Sequence, residues 1–193
     1  MNFSMTYTIG IGALINGPSY NYLRKIEVQI GDTVGNFSGL GQPPHVTIKR
    51  AFEVKGISGI RKCERAMDAL ANKKKPFDVQ FAGVGNFGNS VLYLRLAPND
   101  TLVAMHSQLL DTLEPVFPKA IGTLEGENMV FHSTIAMGLE VEQYNKAREL
   151  LDTYPVESLA FAGSVNKLGL FLGIENNTHW AVISEADLTS DGV

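Results

Sequence analysis

Cysteine is almost missing from this chain: Cys63 is the only one in 193 residues. A single thiol excludes an internal disulfide and any thiolate metal cluster. With no histidine near it in sequence, Cys63 reads as helix packing rather than as a nucleophile. Long apolar runs are missing too, and none approaches the ~20 residues that a membrane helix needs. The opening MNFSMTYTIGIGALING has no basic segment of the kind that starts a secretion signal, so it reads as a first strand over Tyr7–Ile15. A cytoplasmic protein is the expectation. Charged residues make up 19% and the net charge is −4, which argues against an extended surface for duplex nucleic acid.

What is present is ordinary globular composition, 45% apolar, enough for a substantial core. The length fits a single domain over 1–193, or two intimate lobes sharing one core. Charge is unevenly spread. Residues 45–75 hold nine Lys or Arg against three Asp or Glu, a local balance of +6 suited to a small anion or one end of a nucleic acid. Lys73, Lys74 and Lys75, just before Pro76, read as a solvated run closing a helix, where positive charge complements the dipole.

Periodicity orders the chain. After the first strand, PSYNYLRKIEVQIGD reads as a helix ending near Gly31, and PPHVTIKRAF as a strand. ISGIRKCERAMDALANKK has apolar residues near helical period. PFDVQFAGVGNFGNSVLYLRLAP alternates on both sides of a Gly/Asn-rich centre, which predicts a hairpin. NDTLVAMHSQLLDTLEPVF predicts a helix capped by Asn99 or Asp100, ENMVFHSTIAMGL a strand, and VEQYNKARELLDTYP an amphipathic helix. Three strands, Ser158–Ala162, Lys167–Ile174 and His179–Glu185, complete the order. The mixture implies an α+β fold with largely antiparallel sheets.

The chemistry sits in PPHVTIKRAF. Two prolines block a helix, and alternation along the strand puts His45, Thr47 and Lys49 on one face, with Val46, Ile48 and Arg50 on the other. A second stretch, VFHSTIAM, repeats the pattern: His132 and Thr134 lie two apart and are followed by Ile135, as His45 and Thr47 are followed by Ile48. The two histidines are 87 residues apart, one in each half of the chain. If two lobes pack about a pseudo-twofold axis, each strand delivers one imidazole and one hydroxyl to a shared cleft. Near neutrality one imidazole can accept a proton while the other donates one, and each hydroxyl can bond a non-bridging phosphate oxygen. A base on one side and an acid on the other suit in-line displacement at a phosphodiester. Symmetry leaves the roles open; the first assignment for hydrolysis is His132 as base and His45 as acid.

These segments resemble the two-histidine phosphoesterases, the 2′–5′ RNA ligase-like superfamily, whose hallmark is a pair of His-x-Thr/Ser motifs about this far apart. The resemblance implies a bilobal α+β fold with mainly antiparallel sheets, helices on their outer faces and a cleft between two pseudo-symmetric lobes. It also implies activity on 2′,3′-cyclic phosphates or 2′–5′ linkages of RNA ends or nucleotides, with His45, Thr47, His132 and Thr134 as the motif residues. The second motif departs from the family pattern at Ser133 and Ala136, and no arginine follows it.

Other candidates carry less. Lys49 shares the motif face and is a candidate phosphate contact. Gly83, Gly85 and Gly88 match G-x-G-x-x-G, but a strand rather than a helix follows; a hairpin with glycines at positive φ is the reading, and Phe87 at its tip is a candidate base-stacking residue. His106 is expected at a helix surface or boundary, and neither it nor His179 is assigned a function. A zinc site from His45 and His132 finds no carboxylate or cysteine in either motif, so neither metal nor cofactor is expected. The expected partner is an RNA end or nucleotide carrying a cyclic phosphate, with no membrane; no oligomeric state is implied. The alternative is a binding module for RNA ends or a small phosphorylated ligand, in which the motifs only donate hydrogen bonds.

Overall fold

In strand β1, Thr6–Asn16, the side chains of Ile9, Ile11, Ala13 and Ile15 alternate with Gly10, Gly12 and Leu14, so one face is aliphatic and the other is bare. The computed structural model, which describes residues 5–38, 40–174 and 179–189, builds the fold around this strand. The order continues with α1 (Gly17–Val34), β2 (His45–Lys55), α2 (Gly56–Ala71), β3 (Phe77–Phe87) and β4 (Val91–Leu96). It closes with α3 (Asp100–Leu113), β5 (His132–Met137), α4 (Val141–Asp152), β6 (Ala162–Ile174) and β7 (His179–Asp187). The fold is α+β, as the periodicity implied.

Among the described residues, seven strands all pair antiparallel; six follow the order β2-β1-β6-β3-β4-β5 and β7 pairs with β6. Strand β6 is the joint: its first residues pair with β3, its later ones with β7, and β1 lies along its length. The strands therefore form two groups, β2-β1-β6-β7 and β5-β4-β3, meeting on one long strand. Twist accumulates across such a sheet, and here its two ends, β2 and β5, come into contact. A bridge between Ser38 and Met137 and the reach of Gln143 Nε2 to the Val34 carbonyl (3.0 Å) help to hold the ends together. Helices α1 and α4 pack on each other, as do α2 and α3, and the aliphatic face of β1 is buried with them in the main core.

Local signals set most boundaries. Helix α1 takes Pro18 in its first turn and ends at Gly35, φ 81°, whose N–H donates to the Gly31 carbonyl; a positive φ there favours glycine. Asn99 caps α3 by accepting from Leu102 N at 3.0 Å, one of the two expected caps. Two expectations fail. Helix α2 stops at Ala71, so Lys73, Lys74 and Lys75 lie beyond it and do not close a helix. The strand expected at Ser158–Ala162 is a 3-10 turn over Val156–Leu159, in which the Pro155 carbonyl accepts from Ser158 N (2.9 Å); β6 begins only at Ala162. Among the described residues, no helix is long and apolar enough to cross a membrane.

Candidate active site

The two motif strands are the strands at the ends of the sheet, and their meeting builds the site. On β2, His45 pairs with Leu14 and Thr47 with Gly12. Directly opposed residues share a face, so both motif side chains stand on the bare side of β1. On β5, His132 pairs with Arg95 and Thr134 with Tyr93. His45 and Thr134 line one pocket, together with Glu27 and Gln42.

Each imidazole is placed in the same way. A glycine lets an aromatic ring lie close to the sheet, and the imidazole packs on that ring. At Gly12 a Cβ would stand 3.0 Å from Phe171 and 2.8 Å from the His45 ring, while the Phe171 and His45 rings are 4.3 Å apart. At Gly85 a Cβ would stand 2.5 Å from Tyr93, whose ring is 4.9 Å from His132. His45 Nδ1 bonds the Pro43 carbonyl at 2.9 Å and His132 Nδ1 the Val130 carbonyl at 2.7 Å. A carbonyl only accepts, so Nδ1 carries the proton in both rings and Nε2 is left for a substrate. Neither threonine hydroxyl hydrogen-bonds within the described residues.

Burial sets the electrostatics. It lowers His45 from 6.5 to about 4; the bond to Pro43 opposes this shift, and the His132 charge adds to it. Burial also lowers His132, against its bond to Val130 and with help from the charge of Arg50. His45 is the more deeply enclosed of the two. The pocket wall holds a third titratable group, Glu27, which burial pushes up to about 8 even with the Arg24 guanidinium against it. Arg24 also donates to the Leu40 and Gln42 carbonyls, bracing the turn that supplies the Pro43 carbonyl to His45.

Alternation along β2 breaks between Thr47 and Phe52. Ile9 pairs with Phe52, Ile11 with Lys49 and Gly12 with Thr47, so β2 carries one extra residue in each interval. The first of these bulges reverses the faces expected for Lys49 and Arg50, and the second, before Phe52, restores the original alternation. Lys49 falls opposite Ile11, on the helix-covered side, fully buried with its Nζ 4.6 Å from the centre of the Phe52 ring. It does not reach the motif face and is not a phosphate contact: its Nζ is bound to both Glu125 carboxylate oxygens (2.9 and 3.0 Å) and to the Ala120 and Arg50 carbonyls. Arg50 and Ala51 lie in the bulged interval across from Gly10 and are exposed, and the charge of Arg50 acts on the His132 imidazole. The reading that Arg50 points away is therefore corrected, and Arg50 is the residue near the site that alternation missed.

His106 is corrected as well. It is buried at 3% exposure rather than at a surface, bonding the Ile48 carbonyl through Nδ1 (2.7 Å) and accepting from Gly126 N at Nε2 (2.9 Å). Its place on the stripe Leu102, His106, Leu109, Leu113 was the available signal. Phe87 lies at the end of β3, 41% exposed, with its ring 4.4 Å from Tyr93 and 4.9 Å from His132. Gly83 and Gly88 take positive φ as expected and Gly85 does not. Cys63 is buried in α2, and burial pushes its thiol up to about 12. Ser133, behind the motif, keeps a buried hydroxyl without a hydrogen-bond partner. Among the described residues, no three His, Cys, Asp or Glu side chains form a group able to hold a metal.

Strands β2 and β5, each carrying a His-x-Thr pair, meet from the two ends of the sheet, with His45 and Thr134 lining one pocket. A family model of the 2′–5′ RNA ligase superfamily matches residues 35–170, and the chain belongs to that superfamily. A Geobacillus kaustophilus (strain HTA426) protein named as a phosphoesterase is 25% identical over 142 residues, covering 72% of this chain and 75% of that one. Among solved structures, TT0787 of Thermus thermophilus superposes with a TM-score of 0.66 at 12% identity, covering 94% of this chain and 97% of that one. E. coli LigT complexed with 3′-AMP superposes with a TM-score of 0.63 at 15% identity, over 96% and 100%. Membership of the superfamily supports a phosphoesterase role.

Proposed function

We propose that the protein is a metal-independent phosphodiesterase acting on 2′,3′-cyclic phosphates or 2′–5′ linkages of RNA ends or nucleotides. The observation that carries this reading is the convergence of β2 and β5, with both imidazoles tied at Nδ1 and free at Nε2. For hydrolysis of a cyclic phosphate, Nε2 of one neutral imidazole takes a proton from water as the oxygen attacks phosphorus. The bond from phosphorus to the opposite ribose oxygen breaks, and that oxygen takes a proton from the second, cationic imidazole. The product is a 2′- or 3′-phosphomonoester. The deeper burial of His45 supports it as the base and His132 as the acid, the reverse of the first assignment. Thr47 and Thr134 donate their hydroxyls to the non-bridging oxygens, and the exposed face of Phe87 takes a base. The nucleotides bound in LigT structures, among them 3′-AMP and ATP, fit such a substrate class.

The test is a panel of nucleoside 2′,3′-cyclic phosphates and 2′–5′ dinucleotides, incubated in EDTA and resolved into 2′- and 3′-phosphate products. The wild type turns over at least one of them, and His45→Ala and His132→Ala each lose roughly 100-fold or more. Turnover by His132→Ala at the wild-type rate would sink the mechanism. Tight binding of a ligand without conversion would favour the binding-module reading.

A further inference from the structure

The sequence gives the second motif no arginine, and the first-motif lysine is locked in a buried ion pair. The cleft nevertheless needs positive charge if it takes a phosphate, and the bulged stretch of β2 is where the structure supplies it. The bulges place Ile48 and Lys49 on the core side, both fully buried, and leave Arg50 and Ala51 exposed opposite Gly10. Gly10 lies two residues along β1 from Gly12, against which His45 packs, a spacing of roughly 7 Å in a strand. Among the described residues, Arg50 has no ion-pair partner.

The backbone around Arg50 is held by dedicated partners. A bulge frees ladder groups, and here three groups of the bulged stretch are bonded by side chains: the Ile48 carbonyl by His106, the Arg50 carbonyl by Lys49 Nζ and Arg50 N by Glu125 Oε1 at 3.0 Å. The same carboxylate accepts from Gly122 N, and His106 accepts from Gly126 N, so the loop leading into β5 is pinned to the bulge. This arrangement fixes the Arg50 backbone beside the approach to His132.

We propose that Arg50 is the anion-holding residue of the cleft, carried by the β2 bulges from the first motif strand toward His132 to grip a non-bridging oxygen of the substrate phosphate. A guanidinium suits this task because its planar donors match two phosphate oxygens at once, which an ammonium cannot do. The charge of Arg50 already reaches the His132 imidazole and lowers its affinity for a proton. The proposal deepens the phosphoesterase reading and rests on it for the identity of the ligand. It also marks a departure within this chain, since the cation comes from the first motif strand while the second has none.

Binding without turnover separates the two ideas. Inorganic phosphate and 2′-AMP are titrated calorimetrically into wild type, Arg50→Ala, Arg50→Lys and Arg148→Ala, the last removing a cation of α4 that pairs with Asp152. The expected loss is about 10- to 100-fold for Arg50→Ala, with Arg50→Lys between it and wild type and Arg148→Ala near wild type. The titration midpoint of His132, followed by NMR of its imidazole carbon, should rise in Arg50→Ala. Equal binding by wild type and Arg50→Ala, no phosphate binding by wild type, or an unmoved His132 midpoint would overturn the proposal. A wild type that binds 2′-AMP with the expected losses but cleaves no cyclic phosphate would sink the catalytic reading and leave Arg50 as the anion site.

Discussion

At His45 the imidazole has given up much of its water to Phe171, Gly12 and the pocket wall, and protonation there means charging an enclosed ring. Its affinity for protons falls from 6.5 to about 4, while His132 keeps more of its solvent and lies below 6.5 as well. With His45 as base, activity rises as pH climbs through about 4, because only the neutral ring accepts a proton. With His132 as acid, activity falls as pH passes its own value below 6.5, because only the cation donates. The kcat/KM profile is therefore expected to be a bell with its maximum between about 4 and 6.5. Measured on one cyclic nucleotide across that range, a flat profile or a maximum above about pH 8 would refute the pairing. Unburied imidazoles would place the optimum nearer neutrality, and burial, a property of the folded cleft, moves it down.

Strand β2 shows what an element adds to a residue list. Strict alternation sends Lys49 to the cleft and Arg50 away, yet the first of the two bulges exchanges them. Nothing inside PPHVTIKRAF announces the bulges. Their freed groups are satisfied by His106 and Glu125, 58 and 75 residues further on, so the signal is tertiary and periodicity cannot see it. Helices and strands whose pattern is local, such as α3 with its Asn99 cap, were legible; Ser158–Ala162 was not, because Pro155 starts a turn there. The Lys49–Glu125 pair yields a stability prediction. Lys49→Met leaves a carboxylate buried without its cation, and the expected cost is about 3–5 kcal/mol. Glu125 still receives N–H donors from Arg50 and Gly122, so Lys49→Met with Glu125→Gln, which removes the charge and keeps an acceptor, should recover a large part. Urea unfolding measures both; a single variant as stable as wild type would deny the pair its structural role.

Across the whole molecule, the two strand groups share β6, which pairs with β1 on one edge and with β3 and β7 on the other. The paired motifs were readable because the same short pattern occurs once in each half. The seven-strand arrangement that joins their strands was not, since pairing of β1 with β6 spans most of the chain. Shared pairing of this kind makes independent melting of one half costly, and we propose that residues 1–193 unfold as one bilobal domain. Fluorescence of Trp180, on β7, and far-UV circular dichroism should then report coincident urea transitions. A Trp180 transition displaced from the circular dichroism midpoint would mean that the β7 side loosens by itself.

The buried joint beneath β2 also constrains how descendants of this chain can diverge. Replacing Lys49, His106 or Glu125 alone strands a charge or a bare carbonyl in the core, so drift through these positions has to proceed by compensated steps. Arg50, one residue away, points to solvent and carries no such debt. Lineages can thus exchange the cleft's cation while inheriting the joint as a block, which leaves substrate preference freer to evolve than the strand that presents it.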